Sequence, residues 1–187
     1  MKVKEQYQNL SREELLNKVY ELGRDFEINS TSCSQSTVAA INEVLGLGDT
    51  IVKVSTSLCG GTAFQLLGTC GGLAGGIMVL DYFFGRPVEN MSSEHVVQEN
   101  WDKLFTAQAV ARELVNKYVK EYGTFTCAGI MGKKFGRLYF FEDPDEWKKF
   151  EAAGAHTDPD KCAGTVGKAS RFIMEILLDK GIVEVGK

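Results

Sequence analysis

A phrase built around cysteine occurs three times in this chain of 187 residues. Each copy consists of a cysteine, a small residue, a glycine, two further residues and a second glycine, over residues 70–75, 127–132 and 162–167. Two glycines three residues apart lie on one face of a helix and leave that face without side chains. The phrase therefore predicts helices that begin at a cysteine and are approached closely, either by another helix or by a bulky group.

Apolar residues elsewhere recur at spacings of three and four, which is the period of an amphipathic helix. The longest pattern of this kind covers residues 92–122, and glycines concentrate at 60–76. No strand pattern is convincing, although residues 136–141 would suit a short extended piece. We therefore predict an all-α fold, in which residues 1–187 form a single compact multi-helix domain with a glycine-rich central segment.

Several predicted helices carry capping residues at their ends. Ser11 and Ser32 each stand three residues before a glutamate or glutamine, which is the capping-box pattern. Thr126 is positioned to cap the helix at the second copy of the phrase, and Gly123 should end the longest helix. Pro159, between two aspartates, predicts the start of the last helix because proline suits the first helical position.

Charge and hydropathy exclude some classes of partner. A net charge of −4 argues against nucleic acid, because phosphate binding requires a basic face. No charged residue occurs over 54–80, but glycines interrupt this run, so we expect a buried core segment rather than a membrane span. Residues 1–9 are polar and mixed in charge, without an apolar signal region, which predicts a cytoplasmic protein.

Four of the five cysteines fall in the first turn of predicted helices, namely Cys33, Cys70, Cys127 and Cys162. In a reducing compartment, metal ligands, redox thiols or core residues are better interpretations than a structural disulfide set. The positive end of a helix favours a thiolate, and it also favours an anionic assembly of thiolates and metal. Since Cys33 and Cys162 begin core-facing stripes, we expect the four cysteines to converge, with incidental burial as the alternative.

The spacings between these cysteines are wide, and no C-x-x-C pair occurs. The usual zinc-ribbon, thioredoxin and ferredoxin signatures are therefore absent. His95 and His156 are the two histidines of the chain. We expect His95 to face solvent at the start of the longest helix. His156, six residues before Cys162, is near enough in sequence to reach a cysteine site, although a structural role is favoured.

The cysteine arrangement resembles a family of redox-active proteins named for its pattern, C_GCAxxG_C_C. Cys33 corresponds to the first cysteine, Cys70 to the glycine-rich central motif, and Cys127 and Cys162 to the last two. The resemblance covers residues 29–178, and Cys59 is an additional cysteine within it. It implies redox activity. Related proteins are similar to the non-haem part of split-Soret cytochromes, where this type of four-cysteine domain holds an iron–sulfur centre.

The first functional hypothesis is a redox-active protein with an iron–sulfur cluster for electron transfer. Its expected ligands are the four matched cysteines, Cys33, Cys70, Cys127 and Cys162. The residues expected around those ligands are Cys59, Gly71, Gly72 and Gly75. The sequence does not identify the electron donor or acceptor. The apolar stripe over 92–122 is long for so small a domain, so we expect it either to pair with a second copy in a homodimer or to pack entirely within the chain.

Two alternatives come from different classes of protein. One is a metal-free thiol–disulfide oxidoreductase, in which Cys70 and Cys33 are the candidate catalytic residues and Cys70 attacks with a lowered pKa. A partner among Cys59, Cys127 and Cys162 would then resolve the mixed disulfide, and selenocysteine at a cysteine position in some family members fits such chemistry. The other is a structural zinc site, for which the wide spacing of the ligands is unusual.

Overall fold

Eight α-helices make up most of the computed structural model, which describes residues 1–91 and 98–185. In chain order they are α1 (Arg12–Ser30), α2 (Cys33–Leu45), α3 (Asp49–Val54), α4 (Gly71–Phe84), α5 (Gln98–Tyr122), α6 (Cys127–Phe135), α7 (Pro144–Ala152) and α8 (Cys162–Asp179). Short 3-10 helices occupy Glu5–Tyr7, Thr56–Leu58 and Val88–Met91. The described ranges contain no β-strand, only isolated bridges. The all-α prediction is confirmed, and residues 136–141 form no ladder.

Four helices pack around α8 and together with it enclose the main core. α8 lies against α1, α2, α4 and α5, and α4 also packs against α2 and α5. Each of the five contributes at least one fully buried aliphatic side chain, including Leu15, Ile41, Leu73, Leu114 and Ile173. Burial of such side chains contributes about 1.5–3 kcal/mol each relative to exposure. We call this assembly the larger cluster.

A smaller cluster lies beside it, around α6 and α7. It is formed by Leu66, Met131, Tyr139, Phe150 and Ala155, with several half-buried aromatic side chains packed around them. Cys127 and Cys162 pack against this smaller cluster, whereas Cys70 belongs to the larger one. The cysteines therefore lie where the two clusters meet.

Helix boundaries confirm some of the predicted caps. Ser11 forms the expected capping box at the start of α1, and the Thr126 side chain accepts a hydrogen bond from the Gly129 amide at the start of α6. Gly123, with a φ of 65°, follows the last residue of α5. Residues 92–97, the predicted first turns of that helix, lie outside the described residues.

Two predicted caps are wrong. Ser32 precedes α2, but its side chain makes no capping hydrogen bond. Pro159 does not open the last helix, which begins three residues later at Cys162. The reason is local: the Asp158 side chain accepts a hydrogen bond from the Asp160 amide, so this segment forms a turn before the helix.

The surface of α5 also differs from the predicted stripe. The stripe predicted over 92–122 includes Trp101, Tyr118 and Tyr122. Tyr118 and Tyr122 are buried, but Trp101 is 46% exposed and stacks on the exposed Phe105. No helix in the described part of the chain combines the length and apolar character needed to cross a bilayer.

The glycines of α4 permit the close approach that the repeated phrase predicts. A Cβ atom on Gly75 would lie 2.5 Å from the backbone oxygen of Ser34 in α2. A Cβ atom on Gly72 would lie 2.8 Å from the hydroxyl oxygen of Tyr118 in α5. At both glycines, residues of neighbouring helices therefore fill the space that a side chain would need.

We expect Gly75→Ala to destabilise the protein by about 1–3 kcal/mol, because the added methyl group meets backbone rather than a flexible side chain. Urea unfolding measures this change. Gly132→Ala is the matched control, since Gly132 holds the same place in the second copy of the phrase and a Cβ there meets nothing within 4 Å. The control should be neutral or gain up to about 1 kcal/mol from helix propensity. Equal losses in both variants would contradict the packing interpretation.

Candidate four-cysteine redox site

The five cysteines line a single cavity where the larger and smaller clusters meet. The cavity has a volume of about 50 Å³, and its wall includes Cys33, Cys59, Cys70, Cys127 and Cys162. This volume is enough for roughly three to five water molecules. The four cysteines that were predicted to converge thus lie around one cavity, and Cys59 lies beside them.

Helix starts position four of these thiols. Cys33, Cys127 and Cys162 are the first residues of α2, α6 and α8. Cys70 is the residue immediately before α4, and its sulfur lies within reach of the backbone amides of Gly72 and Leu73. Four helix N-termini, each with free amides and partial positive charge, therefore point toward one cavity.

Backbone pairing holds Cys70 and Cys127 next to each other. The Cys70 amide donates to the Phe125 carbonyl at 2.9 Å, and the Cys127 amide donates to the Gly68 carbonyl at 3.0 Å. These bonds flank the isolated antiparallel bridge between Thr69 and Thr126. Two helices far apart in the sequence consequently start side by side.

The loop that carries Cys59 has an unusual backbone. Gly60 and Gly61 have positive φ, and so do four non-glycine residues that follow them, Thr62, Ala63, Phe64 and Leu66. Non-glycine residues in this left-handed region are strained, and they persist only where surrounding contacts hold them. Here the Ala128 amide donates to the Leu66 carbonyl at 3.1 Å and ties the loop to α6.

The three expected neighbouring glycines have different surroundings. Gly71 lines the cavity, and a Cβ atom there would collide with the Cys33 sulfur. Gly72 and Gly75 face Tyr118 and Ser34 instead. Only Gly71 thus bares a helix face toward the thiols, and the other two serve the packing of α4.

Burial dominates the acidity of the thiols. It raises the pKa of Cys33, Cys70 and Cys162, and it raises the pKa of Cys127 to about 12. The amides of Gly72 and Leu73 lower the pKa of Cys70, but by less than burial raises it. The expected low pKa at Cys70 is therefore wrong. As free thiols, these groups are protonated at neutral pH and weakly nucleophilic.

A buried carboxylate that the sequence analysis missed also lines the cavity. Glu27 of α1 is 2% exposed, and its Oε2 atom accepts a hydrogen bond from the Ser36 hydroxyl at 2.9 Å. Its Oε1 atom lies 3.6 Å from Nε2 of His156. The signal was present in the sequence, because Glu27 continues the buried positions Leu15, Val19 and Gly23 at intervals of four.

His156 connects this carboxylate to a second one. Its Nδ1 atom lies 2.7 Å from Oε1 of Glu151, and the ring is buried beside the cavity. Burial lowers the pKa of His156, but the hydrogen bond and charge of Glu27, together with Glu151, outweigh burial and raise the pKa overall. His156 therefore reaches the site, whereas His95 lies outside the described residues.

A protein-family model described as "Putative redox-active protein (C_GCAxxG_C_C)" matches residues 31–176. The chain belongs to this family. The match confirms the resemblance, and the matched segment contains all five cysteines and His156 but not Glu27. No curated protein and no solved structure gave a match to the chain.

The donor set of this C_GCAxxG_C_C protein consists of cysteine thiols, with Glu27 and His156 in the same cavity wall. Within residues 1–91 and 98–185, no group of three or more His, Cys, Asp or Glu side chains is close enough to hold one metal ion. Cysteine thiolates in sets of four are the ligands of iron–sulfur clusters. Thiol donors at four helix N-termini suit such an anionic group.

Proposed function

We propose that this protein is an electron-transfer protein whose redox centre is an iron–sulfur cluster held by four cysteines, Cys33, Cys70, Cys127 and Cys162. One observation carries the proposal: four helix N-termini deliver four thiols to one buried cavity. When bound, such a cluster accepts and returns single electrons. A reducing, cytoplasmic location would suit a chain whose described cysteines are all free.

The chain's own residues supply three contributions to this function. Thiols from both hydrophobic clusters hold the centre, and the apolar wall that includes Ile130, Phe141 and Phe150 excludes bulk water. The helix N-termini offset the negative charge that thiolates bring into the cavity. Glu27 acts in the opposite direction, because its negative charge raises the pKa of Cys33 and Cys162 further after burial.

Thiol acidity favours the cluster over the metal-free oxidoreductase. An attacking thiol needs a substantial thiolate fraction at working pH. Burial raises the pKa of Cys70, and the half-buried Cys127, with a pKa of about 12, is almost entirely protonated at neutral pH. Metal binding, by contrast, displaces the thiol protons directly and does not need a free thiolate beforehand.

We expect protein purified without oxygen, or reconstituted with iron and sulfide, to contain iron and acid-labile sulfide and to absorb visible light. Chemical assays of both elements and an absorption spectrum measure this. A colourless protein with neither element after reconstitution would exclude the cluster. If mild oxidation of that protein formed one dominant disulfide, the thiol–disulfide function would replace it.

A further inference from the structure

Three buried hydroxyl groups have no hydrogen-bond partner of normal geometry among the described residues. They are Ser32 Oγ and the phenolic oxygens of Tyr118 and Tyr122. Tyr118 is 0% exposed, so water does not satisfy it. Unpaired buried hydroxyls are costly and uncommon in native proteins. Three of them together indicate a missing acceptor.

All three hydroxyls lie at the cysteine site. The Tyr118 hydroxyl is within reach of the Cys70 sulfur, and Ser32 Oγ is within reach of the Cys59 sulfur. The Tyr122 hydroxyl lies beside Thr165, a residue of the cavity wall. Hydroxyls of three residues from two separate parts of the chain thus surround one group of sulfur atoms.

The position of the Tyr118 hydroxyl is fixed by its neighbours. A Cβ atom on Gly72 would lie 2.8 Å from it, so only glycine leaves room for the hydroxyl at this point. The ring packs edge-on against Tyr122 and Phe172, with centroid distances of 5.4 Å and 6.3 Å. The packing of the ring therefore holds the hydroxyl beside the Cys70 sulfur.

We propose that Tyr118 and Ser32 are positioning residues whose hydroxyls donate hydrogen bonds to sulfur atoms of the occupied redox centre and raise its reduction potential. The inference rests on the proposed function. The physical reason is that a reduced centre carries one more negative charge, so a donor to its sulfur atoms stabilises the reduced form more than the oxidised form. Donors around the sulfurs are a general means of adjusting such potentials.

The test compares Tyr118→Phe and Ser32→Ala with wild type and with the matched control Tyr7→Phe. Tyr7 is also buried, but its hydroxyl donates to Glu43 at 3.1 Å, away from the site. Each protein is examined by thermal unfolding in the metal-free state. After reconstitution with iron and sulfide, iron content and the midpoint reduction potential are measured.

We expect metal-free Tyr118→Phe to melt at or above the wild-type temperature, since no hydrogen bond of normal geometry is lost, while Tyr7→Phe melts lower. After reconstitution, the potentials of Tyr118→Phe and Ser32→Ala should become more negative, and that of Tyr7→Phe should not change. Loss of iron from Tyr118→Phe with normal metal-free melting would also support the proposal, because the hydroxyl would then stabilise only the occupied centre.

Two results would overturn this inference alone. The first is a loaded wild type with unchanged potentials and iron contents in Tyr118→Phe and Ser32→Ala. The second is metal-free Tyr118→Phe melting as low as Tyr7→Phe, which would mean that the hydroxyl already has a partner in the protein. A wild-type protein that takes up neither iron nor sulfide would instead overturn the proposed function, and this inference with it.

Discussion

Cys127→Ser protein is expected to lose most of its iron and acid-labile sulfide after reconstitution. Serine replaces a thiolate with a hydroxyl that stays protonated and is a poor ligand for iron. Changes to residues that only support metal ligands already cost about 10- to 100-fold in affinity, so loss of a ligand should exceed this range. Iron content per chain and visible absorbance give the measurement, and Cys33→Ser, Cys70→Ser and Cys162→Ser should behave alike.

Cys59→Ser is the matched control, because Cys59 lines the same cavity and is also buried. It should keep its iron. If Cys59→Ser lost the iron while Cys127→Ser kept it, the ligand set would have to include Cys59 in place of Cys127. Retention of iron by all five single variants would contradict a centre held by these cysteines.

His156→Ala is expected to destabilise the metal-free protein by about 3–5 kcal/mol. The substitution leaves Glu27 as a buried carboxylate with only the Ser36 hydroxyl as a partner, and removing one member of a buried ionic pair typically has this effect. Urea unfolding under reducing conditions measures it. Glu151→Gln is the control: its side chain is 35% exposed, and a change of less than about 1 kcal/mol is expected there. Similar losses in both variants would contradict a special role for the inner pair.

The contribution of His156 to the free energy of unfolding should also depend on pH. Burial lowers its pKa, but Glu27 and Glu151 raise it more, so the folded state holds the proton more tightly than the unfolded state, whose pKa is near 6.5. The stabilisation from the charged pair is fully present below that value and is lost as pH rises through the higher folded-state pKa. The difference in unfolding free energy between wild type and His156→Ala should therefore shrink as the pH rises above about 6.5. A constant difference would argue that His156 is not charged in the fold.

Local sequence patterns were sufficient for the fold class and for the convergence of the thiols. The spacing of apolar residues is visible within a single helix, so α1 and α8 could be predicted from their own sequences without knowledge of their neighbours. The first-turn position of Cys33, Cys127 and Cys162 is likewise a local property, and the structure shows it.

Properties that depend on residues distant in the sequence could not be predicted from local sequence patterns. Gly75 and Gly132 hold the same place in the repeated phrase, yet one faces the backbone of another helix and the other faces open space. The acidity of Cys70 was predicted from its helix start, but burial by other helices decides it. Ser32 has the sequence of a cap, but its hydroxyl lies beside the sulfur of Cys59.

The distribution of the thiols along the chain has a consequence for biosynthesis. Cys33 lies near the beginning of the 187 residues and Cys162 near the end, and the other two are spread between them. A nascent chain emerging from the ribosome therefore offers an incomplete ligand set until α8 has been made. If these thiols hold the proposed cluster, iron and sulfide can reach all four of them only after α8 has been made, and a chain truncated before Cys162 is expected not to assemble the cluster.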